Sequence, residues 1–383
     1  MSADGHPEQP SLPWRMASSF TMGFIGIICR VAMKAGNHSE MHGLDEFLEL
    51  LDKREDPKKR ERGLITVSNH ISVLDDPFIW GALPFSYHFN PTNHRWSLGS
   101  YDLCFTNKAL STFFTLGQVL PTQRHAHSEH GGLFQPTITQ AIRLLSRPPF
   151  TQTNLHSPPA DPSLSSPDLR DPFTDGQLTY TTTGLDTFPA PSAYPSRQYS
   201  WLHVFPEGRV HQHPQKTMRY FKWGVARLIL EPDVCPDIIP MWIEGCDQIM
   251  HESREFPRFI PRLGKQVGIW FGENVGGDKE GVFGELRRKW RQLVEEDRGK
   301  RKALEGVELD QGLGILSEDL KYGPEAQELR MECTRRVRKA VLGVRRLRGL
   351  PDEDPKEGLV ETWAVEGGKK EGRMEDGSWV KDM

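Results

Sequence analysis

An α/β fold, with a mixed central sheet flanked by helices, is predicted by three short apolar runs at residues 63–67, 201–204 and 238–243. Each run is rich in β-branched or aromatic residues and has the length of a buried strand. Each is followed by polar or turn-forming residues. Because open α/β sheets usually place their chemistry at the carboxyl ends of strands, the residues after each run are the candidate site residues.

The first run, Gly63–Val67, leads into Asn69 and His70, and Asp75 follows His70 by five positions. Five residues correspond to about 140° of rotation on a regular helix, so the two side chains meet only if the chain bends where the next helix begins. Asp75 would then accept a hydrogen bond from one ring nitrogen of His70 and leave the other as a base. The alternative is a polar loop whose side chains only cap a helix.

The second run, Trp201–Val204, leads into the sequence Phe-Pro-Glu-Gly-Arg at 205–209. Gly208 permits a positive φ and a close approach of the backbone, and the guanidinium of Arg209 is suited to binding phosphate. The alternative for Arg209 is a solvated surface arginine. His203, inside the run, is expected to pack against the site or to support it rather than to react.

Two further blocks complete the pattern. Residues 116–124 form a strand-like stretch that contains Gly117 near its start and ends at Arg124, a second candidate phosphate ligand. Residues 238–245 form a nearly continuous apolar run that contains a proline and predicts a buried strand. The order of the four blocks, rather than any single one, makes the pattern specific.

In this order the blocks resemble the motifs of the glycerolipid acyltransferase superfamily: Asn-His-x-x-x-x-Asp, Gly-x-x-x-x-x-x-Arg, Phe-Pro-Glu-Gly and an apolar run containing proline. The resemblance is closer still to the tafazzin family, because of the doubled aspartate at 75–76 and the sequence Phe-Lys-Trp-Gly at 221–224. It covers residues 14–147 and 199–300. The chain departs from the family at 130–132, where His-Gly-Gly stands in place of a common Gly-Asp-Gly.

The resemblance implies a role for each motif residue. His70 is then the general base, and Asp75 is its orienting partner. The substrate, and above all its glycerophosphate head group, is implied to be bound by the remaining motif residues: Asn69, Gly117, Arg124, Glu207, Gly208 and Arg209. No metal site and no cofactor are expected.

The implied function is CoA-independent transfer of an acyl chain between a phospholipid and a lysophospholipid, which remodels cardiolipin. Monolysocardiolipin would be the acceptor and phosphatidylcholine a donor. The first alternative is an acyl-CoA-dependent lysophospholipid or lysophosphatidate acyltransferase, which shares His70, Asp75 and the Phe-Pro-Glu-Gly sequence. The second is a non-catalytic membrane scaffold that binds anionic lipid, against which the intact His–Asp pair argues because binding alone does not require His70.

Charge and cysteine content exclude several classes of protein. The 383 residues carry a formal net charge of −4, so the chain lacks the overall basic charge typical of nucleic-acid-binding proteins. The five cysteines are odd in number and lack the paired spacing of a metal site, which indicates free thiols rather than a disulfide framework. The sequence leaves the oligomeric state open.

No segment is expected to reach the eighteen apolar residues of a membrane-spanning helix. The best candidate, 20–33, is interrupted by Arg30 and followed by Lys34, while Trp14 and Arg15 suit the head-group level. We therefore expect an interfacial segment, with an amphipathic helix packed on the core as the alternative. Early acidic and proline residues are unlike a mitochondrial transit peptide. The resemblance alone implies the inner and outer mitochondrial membranes, facing the intermembrane space.

Composition also predicts how the chain is divided. Residues 148–195 contain ten prolines and no lysine, a composition that buries too little apolar area to fold. Residues 329–347 alternate basic with apolar residues, and we favour contact with an anionic membrane over a solvated helix with a packed seam. The predicted organisation is a flexible N-terminus (1–13), the first part of the catalytic domain (14–147), a disordered Pro/Ser/Thr-rich insertion (148–198), the second part of the domain (199–300), a basic helical region (301–350) and an acidic disordered tail (351–383).

Overall fold

The computed structural model describes residues 6–150, 173, 176–257, 260–277, 281–305, 312–353, 371–373 and 379–381. The strands of this part are β1 (His38–His42), β2 (Leu64–Val67), β3 (Arg95–Ser100), β4 (Val119–Thr122), β5 (Thr179–Tyr180), β6 (Phe188–Pro189), β7 (Trp201–Val204), β8 (Asp237–Glu244), β9 (Gln266–Phe271), β10 (Glu371–Arg373) and β11 (Trp379–Lys381). The α-helices are α1 (Leu12–Gly36), α2 (Leu44–Lys53), α3 (Asp75–Ala82), α4 (Phe85–His88), α5 (Tyr101–Cys104), α6 (Lys108–Leu116), α7 (Pro136–Leu144), α8 (Gly224–Leu230), α9 (Cys246–Ile249), α10 (Gly284–Glu305), α11 (Glu318–Tyr322) and α12 (Pro324–Leu347).

Within the described residues, seven strands form one sheet in the order β1-β9-β8-β2-β7-β3-β4. Neighbouring strands are parallel except β8 and β9, which are antiparallel. The predicted α/β fold with a mixed sheet is therefore confirmed. The three runs that predicted it lie side by side at the centre of the sheet, as β8, β2 and β7.

The register of the central strands decides where a site can form. Val67 of β2 pairs with Val204 of β7, so the two parallel strands end at the same edge of the sheet. His70 and Glu207 each follow the end of their strand by three residues. Parallel pairing thus brings the first and third motifs together although 137 residues separate His70 from Glu207 in the sequence.

Helices cover both faces of the sheet, because side chains of a strand alternate between its faces. On one face Met241 and Ile243 of β8 pack with apolar residues of α1, α2 and α3. On the other face Ile238 and Trp242 of the same strand pack with residues of α7, α8, α10 and α12. The central strands are consequently buried on both sides, which explains their nearly continuous apolar sequences.

The N-terminal helix α1 is longer than the sequence predicted. It spans 25 residues, and by length and composition it is the one helix of the described part that is apolar enough to cross a membrane. The expectation that no segment is long enough was wrong because Arg30 does not interrupt the helix. Its guanidinium donates to the carbonyl oxygens of Ala82 and Leu83, at 3.0 and 2.6 Å, where α3 ends. One face of α1, including Met22 and Met33, is buried against the core.

Part of the Pro-rich segment is folded, which differs from the expectation of disorder. Residues 151–172 and 174–175 lie outside the described part of the chain. In 176–198, by contrast, β5 and β6 form a short antiparallel hairpin. Tyr180 and Phe188 from this hairpin pack with Phe105, and Ser192 donates to Gln140 of α7 at 2.7 Å. Aromatic residues at the end of the segment therefore supply the apolar area that its average composition lacks.

The basic C-terminal helix α12 directs key arginines into the protein rather than toward a membrane. Arg330, Arg338 and Arg345 are each less than a tenth exposed, and their guanidinium groups donate to backbone carbonyl oxygens of neighbouring segments. Val337 and Val341 between them lie in the main core. One face of the helix is therefore packed on the protein, and contact of its exposed basic residues with a membrane stays a prediction. Beyond residue 353, only the hairpin of β10 and β11 in the acidic tail is described.

Replacing Phe188 with alanine tests whether the end of the Pro-rich segment belongs to the core. Phe188 is 8% exposed, so we expect Phe188→Ala to lower the free energy of unfolding by about 3–5 kcal/mol. Leu185, in the turn of the same hairpin, is 95% exposed, and we expect Leu185→Ala to change stability by less than about 0.5 kcal/mol. Urea unfolding measures both variants. If Phe188→Ala lowers the free energy of unfolding as little as Leu185→Ala is expected to, the hairpin contributes nothing to the core.

Candidate active site

The chain bends between β2 and α3 and brings His70 against Asp75. The ring Nδ1 of His70 lies 2.9 Å from Oδ2 of Asp75. Because an ionised carboxylate can only accept hydrogen bonds, this contact assigns the proton to Nδ1 and leaves Nε2 as the basic nitrogen. Asp75 begins α3, where the positive end of the helix dipole favours a carboxylate.

Asp75 is held by more than the histidine. Its side chain is fully buried, and the same Oδ2 accepts hydrogen bonds from the backbone N–H groups of Ile71 and Ser72 at 2.6 and 2.8 Å. These donors come from the loop that connects His70 to α3. The carboxylate therefore fixes the conformation of the loop that precedes it. It cannot move away from the imidazole without breaking hydrogen bonds to the loop backbone.

The His70 ring is packed on one side and accessible on another. It stacks on Phe205 with ring centroids 4.2 Å apart, and a fifth of the side chain remains exposed. Phe205 in turn meets His203 edge-on at 4.5 Å. His203 is fully buried, its Nδ1 lies 2.8 Å from Oγ1 of Thr66, and burial lowers its pKa to about 3. His203 is thus a neutral packing residue, as its position inside the strand predicted.

Glu207 supports the backbone of the site, and its role as a substrate ligand stays a prediction. Its carboxylate is buried, with Oε1 accepting from His70 N–H at 2.8 Å and Oε2 from Arg219 N–H at 2.9 Å. Burial raises the pKa of Glu207 to about 8, against the opposing effect of these two N–H groups and of the Arg219 and Arg338 cations. With both oxygens engaged, the side chain links three segments of backbone.

Gly208 has the positive φ that the sequence predicted, at +68°. A Cβ atom there would lie 2.7 Å from the side chain of Lys222, whose backbone N–H donates to the carbonyl of Pro206 at 2.7 Å. The Phe-Lys-Trp-Gly sequence therefore packs directly on the Phe-Pro-Glu-Gly turn. Lys222 is a cation at the site that motif spacing alone did not identify.

The two predicted phosphate ligands differ in their surroundings. Arg124 follows β4 at the same edge of the sheet, and its guanidinium binds the carboxylate of Asp102, with Nε 3.0 Å from Oδ1. Burial raises the pKa of Asp102, but hydrogen bonds from Arg124 and Ser100 outweigh it and the net shift is downward. Arg209 directly follows Gly208 and is partly exposed.

Of the other predicted substrate ligands, Asn69 binds the protein backbone and Gly117 lies at the opposite edge of the sheet from His70. Asn69 is buried, and its amide pairs with the backbone of Ile243 in both directions, each hydrogen bond measuring 2.8 Å. It extends the contact between β2 and β8 past the end of the strand. Gly117 ends α6 and precedes β4, so it lies at the amino-terminal edge of the parallel strands, opposite His70. Its φ of −75° does not require glycine.

A further loop binds the backbone beside the His–Asp pair. We call residues 211–219 the covering loop. The backbone N–H of His211 donates to the carbonyl of His70 at 2.7 Å, and the side chain of Gln212 donates to the carbonyl of Ile71 at 2.7 Å. Arg219, at its end, binds Glu207. In the described part of the chain, no group of three or more His, Cys, Asp or Glu side chains is arranged to hold a metal ion.

The site pairs a histidine with an aspartate beside a Phe-Pro-Glu-Gly turn, at the carboxyl edge of a mixed sheet, an arrangement that fits an acyltransferase. No protein-family model matches the chain. Tafazzin of Saccharomyces cerevisiae is 32% identical over 361 residues, which are 92% of this chain and 84% of the yeast protein. N-acylphosphatidylethanolamine synthase of Arabidopsis thaliana is 29% identical over 63% of this chain and 64% of its own length.

The chain therefore belongs to the tafazzin family, and it is a phospholipid acyltransferase. Among solved structures, the lysophosphatidate acyltransferase PlsC of Thermotoga maritima matches with a TM-score of 0.37 and 14% identity, over 76% of this chain and 81% of that one. That similarity is too distant to support any statement about the site.

Replacing Asp75 with asparagine tests the geometry of the pair. The amide can present N–H to the ring and favour the wrong tautomer, so we expect kcat for acyl transfer to fall by about 10²–10⁴-fold. Asp76→Asn is the matched control, because Asp76 pairs with Arg95 at 2.8 and 2.5 Å, and no hydrogen bond in the described part of the chain joins its side chain to His70. We expect that control to lose thermal stability while it retains kcat. Equal losses of kcat in the two variants would contradict the assignment.

Proposed function

We propose that the protein is a CoA-independent transacylase that remodels cardiolipin, moving an acyl chain from a phospholipid such as phosphatidylcholine to monolysocardiolipin. The observation that carries this proposal is the partly exposed imidazole of His70, held by Asp75 with its Nε2 free of that contact. Membership of the tafazzin family supports the choice of reaction and of substrate.

In the proposed reaction His70 moves one proton and forms no covalent bond to the acyl group. Nε2 takes the proton from the hydroxyl of the acceptor lysophospholipid as its oxygen attacks the ester carbonyl of the donor. Asp75 stabilises the imidazolium that forms. When the tetrahedral intermediate collapses, the carbon–oxygen bond of the donor breaks and the proton on Nε2 passes to the departing lysophospholipid oxygen. The acyl group thus passes from donor to acceptor and one proton passes from acceptor to donor, so the reaction needs no further reactant.

We assign the head-group phosphate to the cations at the same edge of the sheet. Arg209 and Lys222 adjoin Gly208, and Arg124 follows β4 at that edge. The contact of Arg124 with Asp102 fixes the direction of its guanidinium. Arg209, Lys222 and Arg124 together are the phosphate ligands in this proposal, since guanidinium and ammonium groups donate hydrogen bonds to phosphate oxygens.

The outer face of α1 supports an interfacial position on the membrane. Its large apolar side chains that remain exposed follow one another at helical spacing: Leu12, Met16, Phe20, Phe24, Ile28 and Val31. The neighbouring helices α4 and α6 add Phe85 and Phe113, both also exposed. Because the opposite face of α1 is packed on the protein, we propose that the helix lies in the interface rather than spans the bilayer. The family supports mitochondrial membranes and a site facing the intermembrane space.

Transfer of a labelled acyl chain from phosphatidylcholine to monolysocardiolipin, in liposomes free of CoA, tests the proposed function. We expect transfer by the wild-type protein and a loss of about 10²–10⁴-fold for His70→Ala, because the general base is removed. His42→Ala is the control, since His42 is an exposed histidine on β1 far along the sheet order from β2. Transfer that begins only when acyl-CoA is added would replace the proposal with an acyl-CoA-dependent reaction.

A second experiment tests the membrane face. Phe20→Ser combined with Phe24→Ser removes two exposed rings from α1, and we expect binding to liposomes of phosphatidylcholine and cardiolipin to weaken by about 10²-fold, at 1.5 kcal/mol or more for each side chain. Leu185→Ser, an exposed apolar residue in the β5–β6 turn, is the control. Flotation of the liposomes measures both. Unchanged binding of the double variant would mean that another surface meets the membrane.

A further inference from the structure

The covering loop, residues 211–219, fixes the backbone around the general base at three points. His211 N–H donates to His70 O, Gln212 donates to Ile71 O, and Arg219 N–H donates to the carboxylate of Glu207 that also accepts from His70 N–H. Both backbone groups of His70 are thus tied, directly or through Glu207, to this loop. A shift of the loop would move the imidazole.

Two buried arginines of α12 donate hydrogen bonds to the backbone of the covering loop. Arg338 donates to the carbonyl oxygens of Met218 and Arg219 at 3.0 and 3.2 Å. Arg345 donates to the carbonyl oxygens of Lys216 and Gln215 at 3.0 and 3.2 Å. The C-terminal helix therefore supplies hydrogen-bond donors to four consecutive or nearly consecutive peptide units of the covering loop, 215, 216, 218 and 219.

One carboxylate, Glu353, serves both arginines and the loop. It forms an ion pair with Arg338, lies 3.8 Å from Arg345, and accepts a hydrogen bond from Met218 N–H at 2.7 Å. Its side chain is 3% exposed. Both buried guanidinium groups contact this carboxylate, so its removal takes away the counter-charge that they share.

We propose that Glu353 is a positioning residue for acyl transfer, acting through Arg338 and the covering loop on Glu207 and His70. The inference rests on the proposed role of His70 as the general base. Glu353 touches neither the imidazole nor Asp75, and it lies 283 positions after His70 in the sequence. It makes the segment that follows α12 part of the catalytic apparatus rather than the start of an unrelated tail.

Glu353→Gln tests the proposal with Asp352→Asn as the matched control. Glutamine keeps the size of the side chain but removes its charge, whereas Asp352 next to it is exposed and pairs only with Arg346 at 2.7 Å among the described ion pairs. We expect Glu353→Gln to lower kcat in the CoA-free transfer assay by about 10- to 100-fold, through misplacement of His70, with KM unchanged. Asp352→Asn should match the wild type. A rise in KM at constant kcat would contradict a positioning role.

A double-mutant cycle with Glu207→Gln separates positioning from a general loss of structure. If Glu353 acts through Glu207, adding Glu353→Gln to a protein that already carries Glu207→Gln should change kcat by less than about threefold, because residues in one network are non-additive. Two full, independent losses that multiply would overturn the proposal.

Hydrogen exchange of backbone amides, measured on the full chain without substrate, gives a readout that does not need activity. We expect the amides of His70 and Arg219 to exchange at least about tenfold faster in Glu353→Gln, while Trp242 in β8 keeps its wild-type rate. Unchanged exchange at His70 and Arg219, with active wild-type enzyme, overturns the role of Glu353. Faster exchange with a wild-type protein that transfers no acyl chain overturns the proposed function instead.

Discussion

The site depends on a single buried carboxylate oxygen. Oδ2 of Asp75 accepts from the His70 ring and from the N–H groups of Ile71 and Ser72, and it does so at the first turn of α3. A buried carboxylate is costly unless donors surround it, so the loop closes around Asp75 and carries His70 with it. The same contact sets the bend, the tautomer and the direction of the basic nitrogen.

The other residues of the site keep the His70–Asp75 pair in position. Parallel pairing of β2 with β7 delivers Glu207, which ties the backbone of His70 to Arg219. Phe205 packs on the imidazole of His70 and is itself packed on His203. The low pKa of His203 keeps that ring neutral, so it places no positive charge near His70. The C-terminal helix then fixes the covering loop. Asn69, Asp75 and Glu207 among the motif residues thus hold the backbone or the imidazole in place through hydrogen bonds within the protein.

The sequence predicted what local pattern and strand order determine. The spacing of His70 and Asp75 required a bend, and a strand followed by a helix supplies it. The contact of Asn69 with the backbone could not be predicted, because its partner, Ile243, lies 174 positions away and is brought near only by the sheet. Arg30 was taken as an interruption because its carbonyl partners at the end of α3 are invisible in the sequence. The buried partners of Arg338 and Glu353 escaped notice for the same reason, since charged residues are normally exposed.

The tautomer of His70 is the most direct test of this view of the site. Nitrogen NMR of the protein labelled with ¹⁵N-histidine, at a pH where the ring is neutral, distinguishes the two ring nitrogens. The geometry predicts a proton on Nδ1 and a bare Nε2 in the wild type, and loss of that preference in Asp75→Asn. A proton on Nε2 in the wild type would contradict the assignment, because the nitrogen that should accept the proton of the acceptor hydroxyl would already carry one.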